Sequence, residues 1–195
     1  IVSGGNEFNQ RSESLKDRIY INDGNGNFSR SIQTEIPDYT ISGKTVSKID
    51  FDKDGDQDLI VGNRIVTQKY PLHEPSIIYE NDNGKFKNVT YKIAPEFENF
   101  GIVNKVITTD INNDGWEDFI SVGEWTNIGI FINNKGSFKN VSNQSNLEDL
   151  YGWWFDIQET DVNNDGYKDY IIGNIGTNSK YKTNKTKPLK VFADD

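Results

Sequence analysis

The stretches DFDKDGDQD-LIVG (residues 50–62), DINNDGWED-FISVG (110–123) and DVNNDGYKD-YIIG (161–173) are one motif written three times. Each is an acidic nonapeptide followed at once by a short apolar run. The leading residues, Asp50, Asp110 and Asp161, lie 60 and 51 residues apart. A second unit alternates with the first: RIYINDGNGNF (18–28), IIYENDNGKF (77–86) and IGIFINNKGSF (128–138). Its final Phe residues lie 58 and 52 apart, and from each Phe to the next leading Asp is 22, 24 and 23 residues. Two units in step at such a period mark a propeller, solenoid or array.

Working outward, an extended stretch precedes each acidic loop: Thr45–Ile49, Ile102–Thr108 and Trp153–Ile157. The apolar run after the loop is a second strand. The Ile/Tyr/Phe stretch, an Asn-Gly or Lys-Gly hairpin and the Phe-bearing stretch make a third and a fourth. Four short antiparallel strands per unit is the pattern of a propeller blade. The expected fold is all-β, a single partial β-propeller over residues 1–195, with blade segments at about 1–35, 41–92, 100–143 and 151–195. Val2–Asn6 resembles Val61–Asn63, so the chain enters inside a blade. Leu189–Phe192 reads as the third strand of the last unit or the first strand of the next, and Asp194 or Asp195 as the start of a fourth loop. The content is about three and a half blades, whereas closure takes ~4–8. The expectation is an open fragment, its edges covered by further chain, a copy of itself or a partner. A helical turn is expected only at Asn146–Leu150.

Composition agrees. There are 23 Ile against 6 Leu and 2 Ala, with 24 aromatic residues, a set that suits pleated, half-buried strands better than helices. The 24 Asn and 17 Gly supply turns. The 195 residues include no Cys, which excludes disulfides, zinc-thiolate sites and thiol nucleophiles, and a single His, His73. The net charge of −9 argues against nucleic acid, and no apolar run approaches the ~18 residues of a membrane span. The chain does not begin with Met, and the expectation is a piece of a longer protein or a mature form.

The nonapeptides explain the charge. They hold 12 acidic residues and two Lys, so the rest of the chain carries a net +1. Oxygen-bearing side chains recur at positions 1, 3, 5 and 9: Asp50, Asp52, Asp54 and Asp58; Asp110, Asn112, Asp114 and Asp118; Asp161, Asn163, Asp165 and Asp169. Gly55, Gly115 and Gly166 at position 6 allow the chain to reverse. Hard cations such as Ca²⁺ take six to eight oxygens. A backbone carbonyl at position 7 (Asp56, Trp116, Tyr167) would add another. Two carboxylates ~5 Å apart repel by roughly 3 kcal/mol at an effective dielectric of ~20, so four together call for a cation. Three Ca²⁺ sites are therefore expected, with a structural role. They are not EF-hands, because position 12 holds Val61, Ser121 or Ile172, inside a strand.

These loops and strands resemble the FG-GAP/VCBS repeats of integrin α-subunit-like propellers. Phe100-Gly101 and Tyr151-Gly152 sit nine residues before their Asp, as the Phe-Gly of that family does; the first unit departs, with Gly43 out of place. The second unit carries one extra residue between Asp118 and Gly123, read as a bulge. VGEWTN (122–127), YGWWFDI (151–157) and GNIGTNSKYK…KPLKVFADD (173–195) are similar to Bacteroidetes VCBS-repeat proteins that carry an ASPIC/UnbV domain, the cartilage acidic protein-like group. That resemblance implies a seven- or eight-bladed ring in the full protein, calcium in the blade loops and a secreted or surface-anchored, outer-membrane-associated location.

The expected function is a calcium-binding, non-enzymatic scaffold at the cell surface, contacting a protein partner or the remainder of its own propeller. Glycan binding is the alternative, carried by Trp116, Trp125, Trp153, Trp154 and Tyr167, and a further one is an accessory part of a polysaccharide-degrading protein. Trp153 and Trp154 are adjacent in a strand and so face opposite ways. His73 reads as a surface histidine. The sequons at Asn88–Thr90 and Asn140–Ser142 occupy one repeat position and read as repeat consensus.

Overall fold

The computed structural model describes residues 8–32, 35–147, 149–176, 179–184 and 186–192. The chain is all-β and partial: the described residues form two complete four-stranded blades flanked by strand pairs. The first blade shows β1 (Tyr20–Asn22) and β2 (Phe28–Arg30). The second holds β3 (Gly43–Ile49), β4 (Asp58–Asn63), β5 (Ile77–Asp82) and β6 (Lys85–Asn88), paired in chain order. The third follows the same order with β7 (Ile102–Thr109), β8 (Asp118–Thr126), β9 (Gly129–Asn133) and β10 (Phe138–Asn140). The fourth shows β11 (Gly152–Thr160) and β12 (Asp169–Asn174). The readings at Val2–Asn6, Asp194 and Asp195 lie outside the described residues.

Registers superpose from blade to blade. Ile49 faces Asp58, Thr109 faces Asp118 and Thr160 faces Asp169, so each acidic loop closes the same hairpin. Five residues before that pair the first strand skips one residue, at Lys44, Asn104 and Phe155. The bulge expected on the second strand, between Asp118 and Gly123, is thus on the first strand and in all three blades. The glycine slides by one position instead. Gly123 lies opposite Val103, where a Cβ would come within 1.7 Å of the Ile102 carbonyl oxygen, so only glycine fits. Beyond it β8 runs on to meet β11, with Gly152 opposite Thr126 and Trp153 opposite Glu124, which ties the third blade to the fourth.

The main core lies between the second and third blades. Ile49, Phe51 and Ile60 of the second meet Val103, Val106, Phe119, Phe131 and Phe138 of the third. Each fully buried Phe adds roughly 2–3 kcal/mol of apolar transfer. Phe119 and Phe131 are neighbours across a strand pair and stack at 4.5 Å. Phe97 closes this core edge-on, 4.9 Å from Phe119 and 5.5 Å from Phe131. It comes from helical turns that the β-rich composition hides, α1 (Thr90–Ile93) and α2 (Pro95–Glu98), the second started by Pro95. The helical turn expected at Asn146–Leu150 is absent among the described residues there. Asn146 takes a left-handed φ of 59°, which stops a helix, and a short 3-10 turn precedes it at Ser142–Gln144. Leu189–Phe192 forms no strand either. It follows Pro188, which cannot donate to a ladder, and leaves Phe192 exposed.

Candidate metal centre

All three nonapeptides adopt one backbone. Position 4 is left-handed (Lys53 62°, Asn113 57°, Asn164 59°) and so is the position-6 glycine (Gly55 93°, Gly115 84°, Gly166 87°). Asn tolerates that conformation, whereas Lys53 adopts it at some cost. These reversals turn the odd-numbered side chains toward one another.

The second and third loops then make matching bonds. Asp114 N donates to Asp110 Oδ1 (3.1 Å) and to Asn112 Oδ1 (3.0 Å); Gly115 N donates to Asp110 Oδ2 (2.8 Å). Asn112 Nδ2 donates to Asp114 Oδ2 (2.9 Å), and Trp116 N to Asp114 Oδ1 (2.8 Å). In the third loop Asp165 N donates to Asp161 Oδ1 (3.2 Å) and Asn163 Oδ1 (3.1 Å), and Gly166 N to Asp161 Oδ2 (3.0 Å). Asn163 Nδ2 donates to Asp165 Oδ2 (2.8 Å), and Tyr167 N to Asp165 Oδ1 (2.8 Å). The amides of Trp116 and Tyr167, followed by the Asn side chains, hold the Asp114 and Asp165 carboxyls below the usual range.

The first loop differs. One carboxylate oxygen each of Asp50, Asp52 and Asp58 lie within 4.8 Å of one another. Asp50 Oδ1 is buried and has no hydrogen-bond partner. Asp54 adjoins that trio, its N–H donating to Asp52 Oδ1 (3.3 Å), while Asp54 Oδ1 accepts from Asp56 N (2.8 Å) and Asp56 Oδ2 accepts from Asn83 N (2.9 Å) of the adjacent hairpin. An all-oxygen donor set with an orphaned buried carboxylate oxygen fits a hard divalent cation. In the other two loops the donor types are the same, and each engaged oxygen keeps a second lone pair.

Position 9 anchors every loop. Asp58 is 1% exposed; its Oδ2 accepts from Phe51 N (3.2 Å) and its Oδ1 from Asn81 N (2.8 Å). Asp118 repeats this with Ile111 N (2.8 Å) and Asn133 N (2.7 Å). Burial pushes the Asp58 carboxyl up to about 6, against the pull of those amides and helped by the charges of Asp52 and Asp54. Asp118 is raised for the same chief reason. Among the described residues Asp169 engages only Oδ2, with Val162 N (2.8 Å).

Asn81 and Asn133 belong to the site although their role is hidden in the loop spacing. Besides donating its backbone N–H, each uses its side chain. Asn81 Nδ2 reaches Gln57 O (3.0 Å), while Asn133 Nδ2 reaches both Glu117 O (3.1 Å) and Phe51 O (2.9 Å). Their Oδ1 atoms accept from the hairpin glycines Gly84 and Gly136, each at 2.8 Å. Asn133 thus joins the first loop to the second. Asp50 N donating to Glu117 Oε2 (3.0 Å) and Lys53 Nζ, 4.2 Å from the Trp116 ring centroid, add to that joint. The signal was the Asn two residues after the aromatic in each Tyr/Phe strand.

Trp125, Trp153 and Trp154 fall at the opposite strand ends. Glu124, buried, pairs with Arg64 (2.9 Å) and accepts from Tyr70 OH (3.1 Å). Trp125 is left-handed at φ 63° and donates Nε1–H to the Tyr70 hydroxyl. Trp153 stands edge-on to Trp125 (5.1 Å) and Tyr181 (5.8 Å), whereas Trp154 packs among Ile120, Val122 and Ile157. The two tryptophans do face opposite ways. Trp116 lies under Lys53, and Tyr167 is exposed. His73 is half-buried, with Nδ1 sealed off and unpartnered. The sequon residues form a repeated turn: Asn88 Oδ1 accepts from Thr90 N and Oγ1, Asn140 Oδ1 from Ser142 N and Oγ. Among the described residues no helix is long and apolar enough to cross a membrane.

No curated protein matches the chain. A family profile described as FG-GAP-like repeat matches residues 2–61 and 110–172, spans that take in the first half-blade, most of the β3–β4 hairpin and the second and third acidic loops. Those spans cover more than half of the chain, and with the repeated hairpin geometry they place it: the protein belongs to the FG-GAP-like repeat family.

Proposed function

We propose that the chain is a calcium-stabilised propeller segment that serves as a secreted or cell-surface protein-interaction scaffold, without catalysis of its own. The observation that carries the calcium reading is the gathering of carboxylate oxygens of Asp50, Asp52 and Asp58, together with the buried and unpartnered Oδ1 of Asp50. Asp50, Asp52, Asp54, Asp58 and the carbonyl of Asp56 would hold one ion. Asp110, Asn112, Asp114, Asp118 and the Trp116 carbonyl would hold a second. Asp161, Asn163, Asp165, Asp169 and the Tyr167 carbonyl would hold a third. Bound calcium supplies positive charge where each loop concentrates negative charge. The chain's own part is to fix the donors: left-handed turns at positions 4 and 6 aim them, and the buried position-9 carboxylate ties the loop to its hairpin.

The surface location and the kinship with proteins bearing an ASPIC/UnbV domain rest on VGEWTN, YGWWFDI and GNIGTNSKYK, whose Trp125, Trp153 and Tyr181 meet at one end of the strands. Calorimetric titration of chelator-stripped protein tests the calcium reading. Three ions binding at ~10⁻⁴–10⁻³ M support it. No heat, together with an unchanged melting temperature at ~10 mM calcium, overturns it.

A second reading, glycan binding, is favoured by that same aromatic group around the strained Trp125. Backbone strain of this kind concentrates at functional sites. A glycan array decides it, and silence across the array removes it.

A further inference from the structure

Phe51 sits between two acidic residues of the first loop, Asp50 and Asp52, and both polar groups of its backbone are engaged. Its N–H donates to Oδ2 of Asp58 (3.2 Å), the position-9 carboxylate of the same loop. Its carbonyl accepts from Nδ2 of Asn133 (2.9 Å), in the third blade. Asn133 in turn donates its backbone N–H to Oδ1 of Asp118 (2.7 Å), the position-9 carboxylate of the second loop. Three hydrogen bonds thus run from Asp118 through Asn133 and Phe51 to Asp58. These four residues are 0%, 1%, 3% and 1% exposed, so little water competes for the bonds between them.

A second route runs beside the first. Asp50 N donates to Glu117 Oε2 (3.0 Å), and Glu117 O accepts from the same Asn133 amide (3.1 Å). Glu117 lies between Trp116 at position 7 and Asp118 at position 9. Gly136, which donates to Asn133 Oδ1 (2.8 Å), lies against Asp52: a Cβ there would stand 3.7 Å from that of Asp52. Asn133 therefore has its N–H, Nδ2 and Oδ1 all engaged, and it holds parts of two loops at once. The junction lies wholly within the two complete blades.

We propose that this junction makes calcium binding in the first two loops cooperative, an ion in either loop raising the affinity of the other for its own. The inference rests on the calcium reading above. An ion that draws Asp50, Asp52 and Asp58 together fixes the Phe51 backbone between them. Phe51, once fixed, holds Asn133, and through it Asp118 and the Glu117 backbone. The second ion then meets donors already ordered, and less conformational entropy is lost when it binds. Coupling is reciprocal, so the second loop acts on the first by the same factor. The direct effect of charge has the opposite sign, since an ion in one loop repels an ion in the other. At ~0.15 M salt that repulsion is screened over ~8 Å, whereas the buried hydrogen bonds are not, and the bonded route is expected to win.

The test is calorimetric titration of the full chain with calcium at ~0.15 M salt. Asp161→Asn with Asp165→Asn silences the third loop in every protein, leaving two. Adding Asp50→Asn with Asp52→Asn leaves only the second loop; adding Asp110→Asn with Asp114→Asn instead leaves only the first. The coupling factor is the product of the stepwise association constants of the two-loop protein, divided by the product of the one-loop constants. A factor of about ten is expected. Asn133→Ala brings it to about one, whereas Asn81→Ala, whose Nδ2 bond stays within its own loop, weakens the first loop and leaves the factor at about ten. Glu117→Ala, at an exposed position, removes the Asp50 bond without touching the core and lowers the factor to about three. A factor of one or less, with both loops binding, overturns the proposal and leaves the calcium reading standing. A factor that neither Asn133→Ala nor Glu117→Ala lowers also overturns it. No heat from any of these proteins removes the calcium reading itself, and this inference with it.

Discussion

The first and third acidic loops share one backbone and have opposite surroundings. Around the first, Asp58 is sealed, Asp50 and Asp52 are half-buried, and the neighbouring blade contributes Glu117, Trp116 and Asn133. Around the third, residues 161–168 are all exposed, and only Asp169 is partly covered. Its nearest link to another blade is Lys168, which donates to Thr109 Oγ1 and pairs with Glu159. The nonapeptide therefore dictates a shape, and the next blade dictates how firmly that shape is held. A loop pressed between blades keeps its carboxylates together partly by packing; an exposed one depends on its internal bonds and on any ion it holds.

Four measurements break or sharpen this contrast. The largest effect is expected from chelation. At ~1 mM calcium and a Kd of ~10⁻⁴ M each loop gains ~1.4 kcal/mol, so stripping three loops costs ~4 kcal/mol, read as a fall in the urea midpoint. An unchanged midpoint would refute the metal reading of all three loops at once. Next comes Asp58→Ala, measured in chelator so that only the scaffold role is seen. It leaves the Phe51 and Asn81 amides unpaired in a sealed site, costing about 3 kcal/mol, whereas Asp169→Ala costs about 1 kcal/mol or less. Equal losses would mean that the neighbouring blade adds nothing.

Asn133→Ala follows, at about 2 kcal/mol, because its side chain bridges Phe51 and Glu117; Asn81→Ala, which bonds only its own loop through Nδ2, costs about 1 kcal/mol. Chemical denaturation of both variants ranks them, and the reverse order would shift the joint elsewhere. The smallest effect is the coupling of Lys53 to Trp116 in a double-mutant cycle, about 0.5–1 kcal/mol for a partly exposed cation over an indole. A coupling of zero would leave the Asn133 and Glu117 bonds as the whole connection.

Much of this arrangement can be read from residues alone, and the reason is repetition. Three copies of Asp-x-Asp/Asn-x-Asp-Gly place three hairpins, and Asn-Gly or Lys-Gly turns place the outer strand pairs, because local chemistry settles both. What one sequence hides is whatever depends on a neighbour. Phe97 reads as part of a polar connection, PEFENF, until the stacked Phe119 and Phe131 give it somewhere to go. The displaced Gly123 points to a bulge on its own strand, but the cause is the pairing of two strands, and the bulge falls on Asn104, whose side chain reaches Trp154 O in the next blade (2.9 Å). Leu189–Phe192 has a strand-like composition and no edge to join among the described residues. The burial difference between Asp58 and Asp169 is likewise invisible in two nearly identical nonapeptides.

The side chains at position 7 have a spectroscopic consequence. The second loop carries an indole there, Trp116, which also reaches the first loop through Lys53; the third carries a phenol, Tyr167. The other three tryptophans lie at the far strand ends, on β8 and β11. A luminescent lanthanide seated in place of a hard cation would therefore draw excitation from Trp116 in the first two loops and from Tyr167 in the third. Trp116→Phe and Tyr167→Phe would extinguish the two emissions separately, giving each end of the chain its own optical label.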